Sequence, residues 1–248
     1  MKALRVVVLV LNGLVTLSQL SAYGVDRVTV KGDTVEVIPV YHASLGLRIG
    51  GRLVLADPAW ETNRYVNLTN PILILITHSH RDHFDLQVLR FVVGKDTWVV
   101  APPDVTQKLP QGITTNIVAL SNGQSTNVQG MTIFAVPMYN VTPERFRFHP
   151  RGVGNGYVLQ CDSARIYISG DTEDIPEMLE LNDIDIAFVC MDGQYTMNVE
   201  QAARAVRTFK PRIVYPYHYR NASREEFQKL VGKDSGVEVR IMNWYPVH

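Results

Sequence analysis

Apolar positions fall mostly into short runs separated by glycine, proline and acidic residues, the spacing of strands rather than of long helices. In the first half, residues 28–30, 35–40, 45–49 and 53–56 read as strands. Gly32-Asp33 and Gly50-Gly51 punctuate them as hairpin turns, because glycine enters positive φ at no steric cost. A continuous apolar strand follows at 72–76, then a helical pattern at 86–92 and a strand at 98–101. Pro102-Pro103-Asp104 opens a short helix reaching Leu109, and strands at 117–120 and 131–136 follow. Residues 140–155 are rich in proline, glycine and arginine and read as a long loop, a length usually tied to function or mobility.

The second half alternates more plainly. Strands at 157–160, 165–169, 184–189, 213–217 and 237–241 are interleaved with helical patterns. Ile175, Met178 and Leu179 lie on one face of a helix over 174–181. Val199, Ala202, Ala203 and Val206 lie on one face of a helix over 198–209, with Asn198 and Gln201 spaced as a capping box. Ser223 and Glu226 cap a last helix that turns Phe227, Leu230 and Val231 to the core and stops at Gly232. Many strands, then strands mixed with helices, predict two sheets packed face to face and covered by helices. No tandem repeat, low-complexity tract or linker is visible.

The N-terminus follows another pattern. Lys2 and Arg5 precede an apolar run from Val6 to Leu11 that continues through Leu14, Val15 and Leu17, and small residues follow at Ser21, Ala22 and Gly24. This reads as a signal peptide over 1–24, with 25–248 as a single domain, and as export to a secreted, periplasmic or secretory-pathway location. The run is broken by Asn12 and Gly13 and is too short for a stable membrane span. An N-terminal strand or a retained anchor helix, with a cytoplasmic location, is the alternative.

Composition narrows the picture. Lys and Arg total 24, as do Asp and Glu, so the chain lacks the basic excess expected of a nucleic-acid binder, and no nucleic-acid partner is expected. Cys161 and Cys190 both end apparent strands; pairing in an exported protein and unpaired burial both stay open. Asn67-Leu68-Thr69, Asn140-Val141-Thr142 and Asn221-Ala222-Ser223 match the glycosylation acceptor pattern, which matters only in a eukaryotic secretory route.

Chemistry concentrates where strands end. The 72–76 run leads into His78, His80, Asp82 and His83, four metal-binding side chains within six positions. Imidazole and carboxylate suit zinc, iron or manganese. The strand at 165–169 delivers Asp171 after a glycine turn, the strand at 213–217 delivers His218, and the strand at 131–136 runs on to Asn140. In α/β proteins, ligands gather beyond the carboxyl ends of strands, so these distant residues can converge.

In this order, His78-x-His80-x-Asp82-His83, Gly170-Asp171-Thr172 and His218 resemble the motifs of the metallo-β-lactamase-fold superfamily. Tyr41-His42-Ala43-Ser44, Asp57-Pro58 and Tyr195-Thr196-Met197 are similar to the branch of metal-dependent hydrolases that includes an ascorbate-phosphate lactonase and a phospholipase D acting on N-acyl ethanolamine lipids. The resemblance implies a four-layer αββα sandwich, an α/β fold of two mixed sheets flanked by helices. It implies a hydrolase using a metal-bound hydroxide on an ester, lactone, amide or phosphodiester of a small-molecule or lipid-like substrate. One or two divalent ions are implied, zinc first, manganese or iron otherwise.

By that resemblance His78 and His80 hold one ion, Asp82, His83 and His218 the other, and Asp171 bridges them, with Asp82 and His218 as catalytic residues. The family's further histidine on the first ion aligns with Asn140 here. Three readings follow: Asn140 is an oxygen ligand, His149 in the same loop swings in, or the first site is poorly occupied. The last makes a non-catalytic metal- or ligand-binding protein the alternative function. His42 is either a residue orienting substrate or a carboxylate, or a core histidine. Asp57 is either a carboxylate supporting a ligand or a turn residue, and Tyr195 either lines the pocket or packs as an aromatic.

Overall fold

Period-two alternation in residues 26–56 folds into a four-stranded meander. In the computed structural model, which describes residues 24–246, it comprises β1 (Asp26–Val30), β2 (Asp33–Tyr41), β3 (Ser44–Ile49) and β4 (Arg52–Ala56). The leader expected over 1–24 lies outside the described residues apart from Gly24. Three parallel strands extend this sheet: β5 (Leu73–Leu75), β6 (Trp98–Ala101) and β7 (Ile117–Ala119), with α1 (Leu86–Val92) and α2 (Pro103–Thr106) between them.

A second sheet repeats the plan. β8 (Ser125–Val128), β9 (Met131–Met138), β10 (Gly154–Cys161) and β11 (Ala164–Ile168) form an antiparallel meander. β12 (Ile186–Cys190), β13 (Ile213–Tyr217) and β14 (Glu238–Val239) then add in parallel, with α3 (Pro176–Leu179), α4 (Val199–Phe209) and α5 (Arg224–Val231) in the connections. Among the described residues each sheet therefore has seven strands in simple chain order, four antiparallel followed by three parallel. The same topology occurs twice although the sequence shows no repeat.

Alternate residues of the continuous apolar strands pack in opposite directions. Val35, Val37, Val54, Ala56, Leu73 and Leu75 join the cluster shared with Ile133, Leu159, Ile166 and Phe188 of the second sheet. Ile38, Val40, Leu55, Ile74 and Ile76 belong to the cluster that holds Val88, Leu89 and Val92 of α1. Burial on both faces is why these strands read as unbroken apolar runs. Each fully buried Leu, Ile or Val contributes roughly 1.5–3 kcal/mol from removal of apolar surface from water. On the far side of the second sheet, α4 and α5 bury Ala202, Val206, Phe209, Phe227 and Val231.

The caps expected for the last two helices hold, whereas the helix expected over 174–181 is confined to α3, Pro176–Leu179. Asn198 and Gln201 form the reciprocal capping box of α4, and Ser223 Oγ accepts from Glu226 N at the start of α5. Leu230, expected to face the core, is exposed. α2 ends at Thr106, short of the expected Leu109, and β14 pairs only over Glu238–Val239. β10 starts at Gly154 inside the expected loop, and polar β8 was not foreseen. Cys161 and Cys190 are both free and buried. β10 runs antiparallel to β11 and β12 runs parallel to it, so the two thiols lie at opposite ends of the sheet and cannot pair. Among the described residues, no helix is long and apolar enough to cross a membrane.

Candidate metal centre

β2, β4 and β5 point the same way, as do β9, β11, β12 and β13, and each ends in a polar residue at one edge of the sandwich. β2 delivers His42, β4 Asp57, β5 the segment 77–83, β11 Asp171, β12 Asp192 and β13 His218. His42, Asp57 and His218 take left-handed backbone conformations, with φ of 55°, 47° and 47°. A non-glycine residue there costs about 1–2 kcal/mol, and such strain is typical of sites that must aim a side chain. Gly170, at φ 61°, makes the turn that presents Asp171; a Cβ there would lie 2.6 Å from Met138 Sδ.

Three groups of donors result, each with its atoms within 4.8 Å of one another: His78, His80 and His149; His78, His83 and Asp171; and His42, Asp82 and His218. Asp171 stands between them. Its Oδ1 lies 3.3 Å from His83 Nε2, and its Oδ2 lies 3.3 Å from His218 Nε2 and 3.4 Å from His149 Nε2. His42 Nε2 is 3.1 Å from Asp82 Oδ2, and the rings of His42 and His218 lie 3.8 Å apart.

The donors fit a cation. His83 Nε2, Asp171 Oδ1, His149 Nε2 and His218 Nε2 are buried without a hydrogen-bond partner among the described residues. Each such atom costs about 1–3 kcal/mol when left unsatisfied. Divalent ions held among these groups would satisfy them, and the nitrogen and oxygen set suits zinc, manganese or iron.

Charge states suit the same purpose. Burial opposes ionisation of Asp171 and Asp82, yet neighbouring imidazoles hold both below the usual carboxylate range. Burial also pushes His78 well below its ordinary value and His42 down to about 4, keeping their lone pairs available. His83 differs: burial opposes its charge, but Asp171 and Asp57 outweigh burial and push it well above its ordinary value.

A second ring of groups fixes these side chains. Asp57 Oδ2 lies 2.7 Å from His83 Nδ1 and accepts from Thr77 Oγ1, while Asp57 Oδ1 accepts from Thr77 N. His83 Nε2 is thereby turned toward Asp171. Tyr245 Oη lies 2.7 Å from His42 Nδ1. Asp192 Oδ2 sits 3.6 Å from His218 Nδ1, and its Oδ1 accepts from Gln194 N, Tyr195 N and Thr196 N. The sequence reading passed over Asp192, although its strand has the same apolar-run-then-carboxylate form as the others.

The third imidazole beside His78 and His80 comes from His149. Asn140 N donates to His149 O at 2.9 Å, so the two residues face each other across the loop. The Asn140 amide donates to Arg145 O and Tyr195 O, which ties the two loops bordering the site. Buried Glu173, also overlooked in the sequence, accepts from Val141 N, Thr142 N, Thr142 Oγ1 and Arg145 Nη1. Arg145 reaches on to Thr196 O and Gly193 O. A cleft of about 240 Å³ opens onto Asp82, His149, Asp171 and His218 between Phe148 and Tyr195.

Comparison with known proteins agrees with this geometry. A family profile described as a β-lactamase superfamily domain matches residues 52–219. A UPF0173 metal-dependent hydrolase of Thermococcus onnurineus is 34% identical over 215 residues, covering 79% of this chain and 92% of the relative. The structure of a candidate metal-dependent hydrolase from Parabacteroides distasonis is 41% identical, with a TM-score of 0.82 over 89% of this chain and 98% of that one. The metallo hydrolase Igni18 of Ignicoccus hospitalis shares the fold at 23% identity, with a TM-score of 0.70 over 86% of this chain and 96% of that one. The chain belongs to the metallo-β-lactamase superfamily, in its UPF0173 family of metal-dependent hydrolases.

Proposed function

We propose that this protein hydrolyses an ester, lactone, amide or phosphodiester bond at a two-metal centre formed by the residues above. The observation that carries the reading is Asp171, whose two oxygens face imidazoles from three separate segments. His78, His80 and His149 would hold one ion, Asp82, His83 and His218 the other, and Asp171 both. A divalent ion there, zinc first and manganese or iron otherwise, supplies Lewis acidity and a nucleophilic water near neutral pH. The chain's own residues do the remainder. Asp57, Asp192 and His42 fix the orientation of His83, His218 and Asp82. Phe148 and Tyr195 meet edge to face with centroids 4.9 Å apart and wall the cleft. The non-catalytic alternative drew on Asn140, and His149 supplies the imidazole that position lacks.

Similarity of the 41–44, 57–58 and 195–197 segments to the lactonase and lipid phospholipase branch supports small cyclic esters and phosphodiesters as first substrates. The leader pattern over 1–24 supports export with 25–248 as the mature enzyme, which N-terminal sequencing of the natively expressed protein checks. For the activity, purified protein is reconstituted with zinc, manganese or ferrous iron and assayed on lactone, ester, amide and phosphodiester panels. The expected result is turnover that a chelator abolishes and added metal restores. No turnover with any metal and any bond class would overturn it.

A further inference from the structure

Beside the metal cleft lies a second recess, and we propose that it selects substrates carrying an anionic group next to a flat or apolar portion, through Arg220 and Trp60. This rests on the hydrolase reading and names the substrate class for the same centre. The recess, about 610 Å³, is lined by Tyr41, Trp60, Asn221, Arg224 and Tyr245 among others, and among the described residues no carboxylate lines it. Arg220 lines both the recess and the metal cleft, so its guanidinium borders a ligand in either.

Arg220 is held ready. Its backbone is left-handed at φ 45°, and its N–H donates to Tyr245 Oη at 3.0 Å. Its Nε donates to Asp192 Oδ2 at 3.2 Å, and its guanidinium carbon lies 5.5 Å from the centre of the Tyr195 ring. Nη2 is 3.9 Å from Asp82, and neither Nη group makes a hydrogen bond among the described residues. A fixed guanidinium whose fork nitrogens make no hydrogen bond among the described residues, and whose one contact there is the long ion pair to Asp82, is suited to phosphate or carboxylate. Arg224 adds a second positive charge to the wall.

Trp60 supplies the apolar side. It is 42% exposed and left-handed at φ 78°, so neither burial nor backbone preference accounts for it. Edge contacts to Tyr41 at 5.1 Å and His42 at 5.5 Å stand it between recess and centre. Tyr41 is itself braced by the guanidinium of Arg64, 4.2 Å from its ring centre.

The test uses zinc-loaded full-chain protein, with phenyl phosphate, benzoate, phenol and inorganic phosphate as probes. Binding is read by calorimetry and by quenching of Trp60 emission, with Trp60→Phe as the control for that signal. Metal-free protein is measured in parallel, to separate the recess from direct capture by zinc. Phenyl phosphate or benzoate is expected to bind more tightly than phenol in both forms; the tighter of the two identifies the anion. Arg220→Met is expected to weaken that binding about ten- to hundredfold with phenol unchanged, and Arg220→Lys to recover part of it. Trp60→Ala is expected to weaken the aromatic probes and spare inorganic phosphate.

Equal binding of phenol and the anionic probes, or no effect of Arg220→Met, would overturn the proposal. So would loss of zinc from Arg220→Met with phenyl phosphate binding retained, since Arg220 would then act only by positioning Asp192. Turnover of neutral and anionic esters at equal rates removes the recess and leaves the hydrolase. Tight anionic binding without turnover of any ester removes the hydrolase and leaves the recess.

Discussion

Asp57→Asn isolates the support behind the metal ligands. Asp57 is fully buried and accepts from Thr77 N and Thr77 Oγ1, with His83 Nδ1 also 2.7 Å from its Oδ2. An asparagine can keep the bond from Thr77 N with its one oxygen. Its NH2 group then faces His83 Nδ1, which must give up its proton to accept. With Nδ1 accepting, the ring's remaining proton sits on Nε2, the nitrogen that faces Asp171, and leaves no lone pair there for a cation. Replacing a residue in such a supporting position costs about 10–100-fold in metal affinity. Without metal, His83 also loses one of its two carboxylate partners in a fully buried site. Breaking a buried pair of this kind costs about 3–5 kcal/mol, or about 6–20 °C in Tm for a chain of this size. Chelator competition gives the affinity and calorimetry gives the Tm. Affinity within about twofold of the parent would refute the orienting role assigned to Asp57.

Other substitutions probe separate links. Glu173→Gln leaves one acceptor oxygen, which can serve Val141 N and Thr142 N or else Arg145 but not both, so the His149 loop should loosen, with a stability loss of about 1–3 kcal/mol in denaturant unfolding and lower metal occupancy. Asn140→His deprives Arg145 O and Tyr195 O of their donor and should cost about 1–3 kcal/mol without raising metal stoichiometry; an extra bound ion by elemental analysis would make position 140 the missing ligand. Gly156→Ala places a Cβ 2.8 Å from Ser169 O and 3.0 Å from Ile168 O, and overpacking there should lower stability by about 1–3 kcal/mol, read as Tm. Burial raises the Asp26 carboxyl, but Tyr215 and Arg240 outweigh it and hold it below its ordinary 3.8. The stability Asp26 adds is therefore complete above that value and lost as pH falls through the lower folded value; Asp26→Asn should flatten this acid limb in pH-dependent unfolding.

The sequence revealed most where a physical requirement leaves a one-dimensional trace. Strands buried on both faces must be apolar throughout, so β5, β12 and β13 stood out, and the ligand types that follow them marked the site edge. Capping of α4 and α5 was legible because the side-chain bonds span only three residues. β8 was not, since an edge strand with one buried residue carries no apolar alternation. Nor was the start of β10, where Gly154 and Gly156 leave room for close approach of neighbouring groups. Glu173 and Arg145 serve the site through contacts distant in sequence, which no local pattern encodes, whereas Asp192 follows an apolar strand as the other site residues do. The role of His149 likewise depended on how the 140–153 loop is pinned, a tertiary fact.

Elemental analysis of the purified, dialysed protein bears most directly on the account. After exposure to zinc, manganese or ferrous iron, the parent chain should retain one to two divalent ions per molecule, His149→Ala should retain fewer, and Asp171→Ala should retain least. A parent chain that keeps no ion under any of these conditions, while remaining folded, would contradict the claim that these imidazoles and carboxylates converge to hold metal.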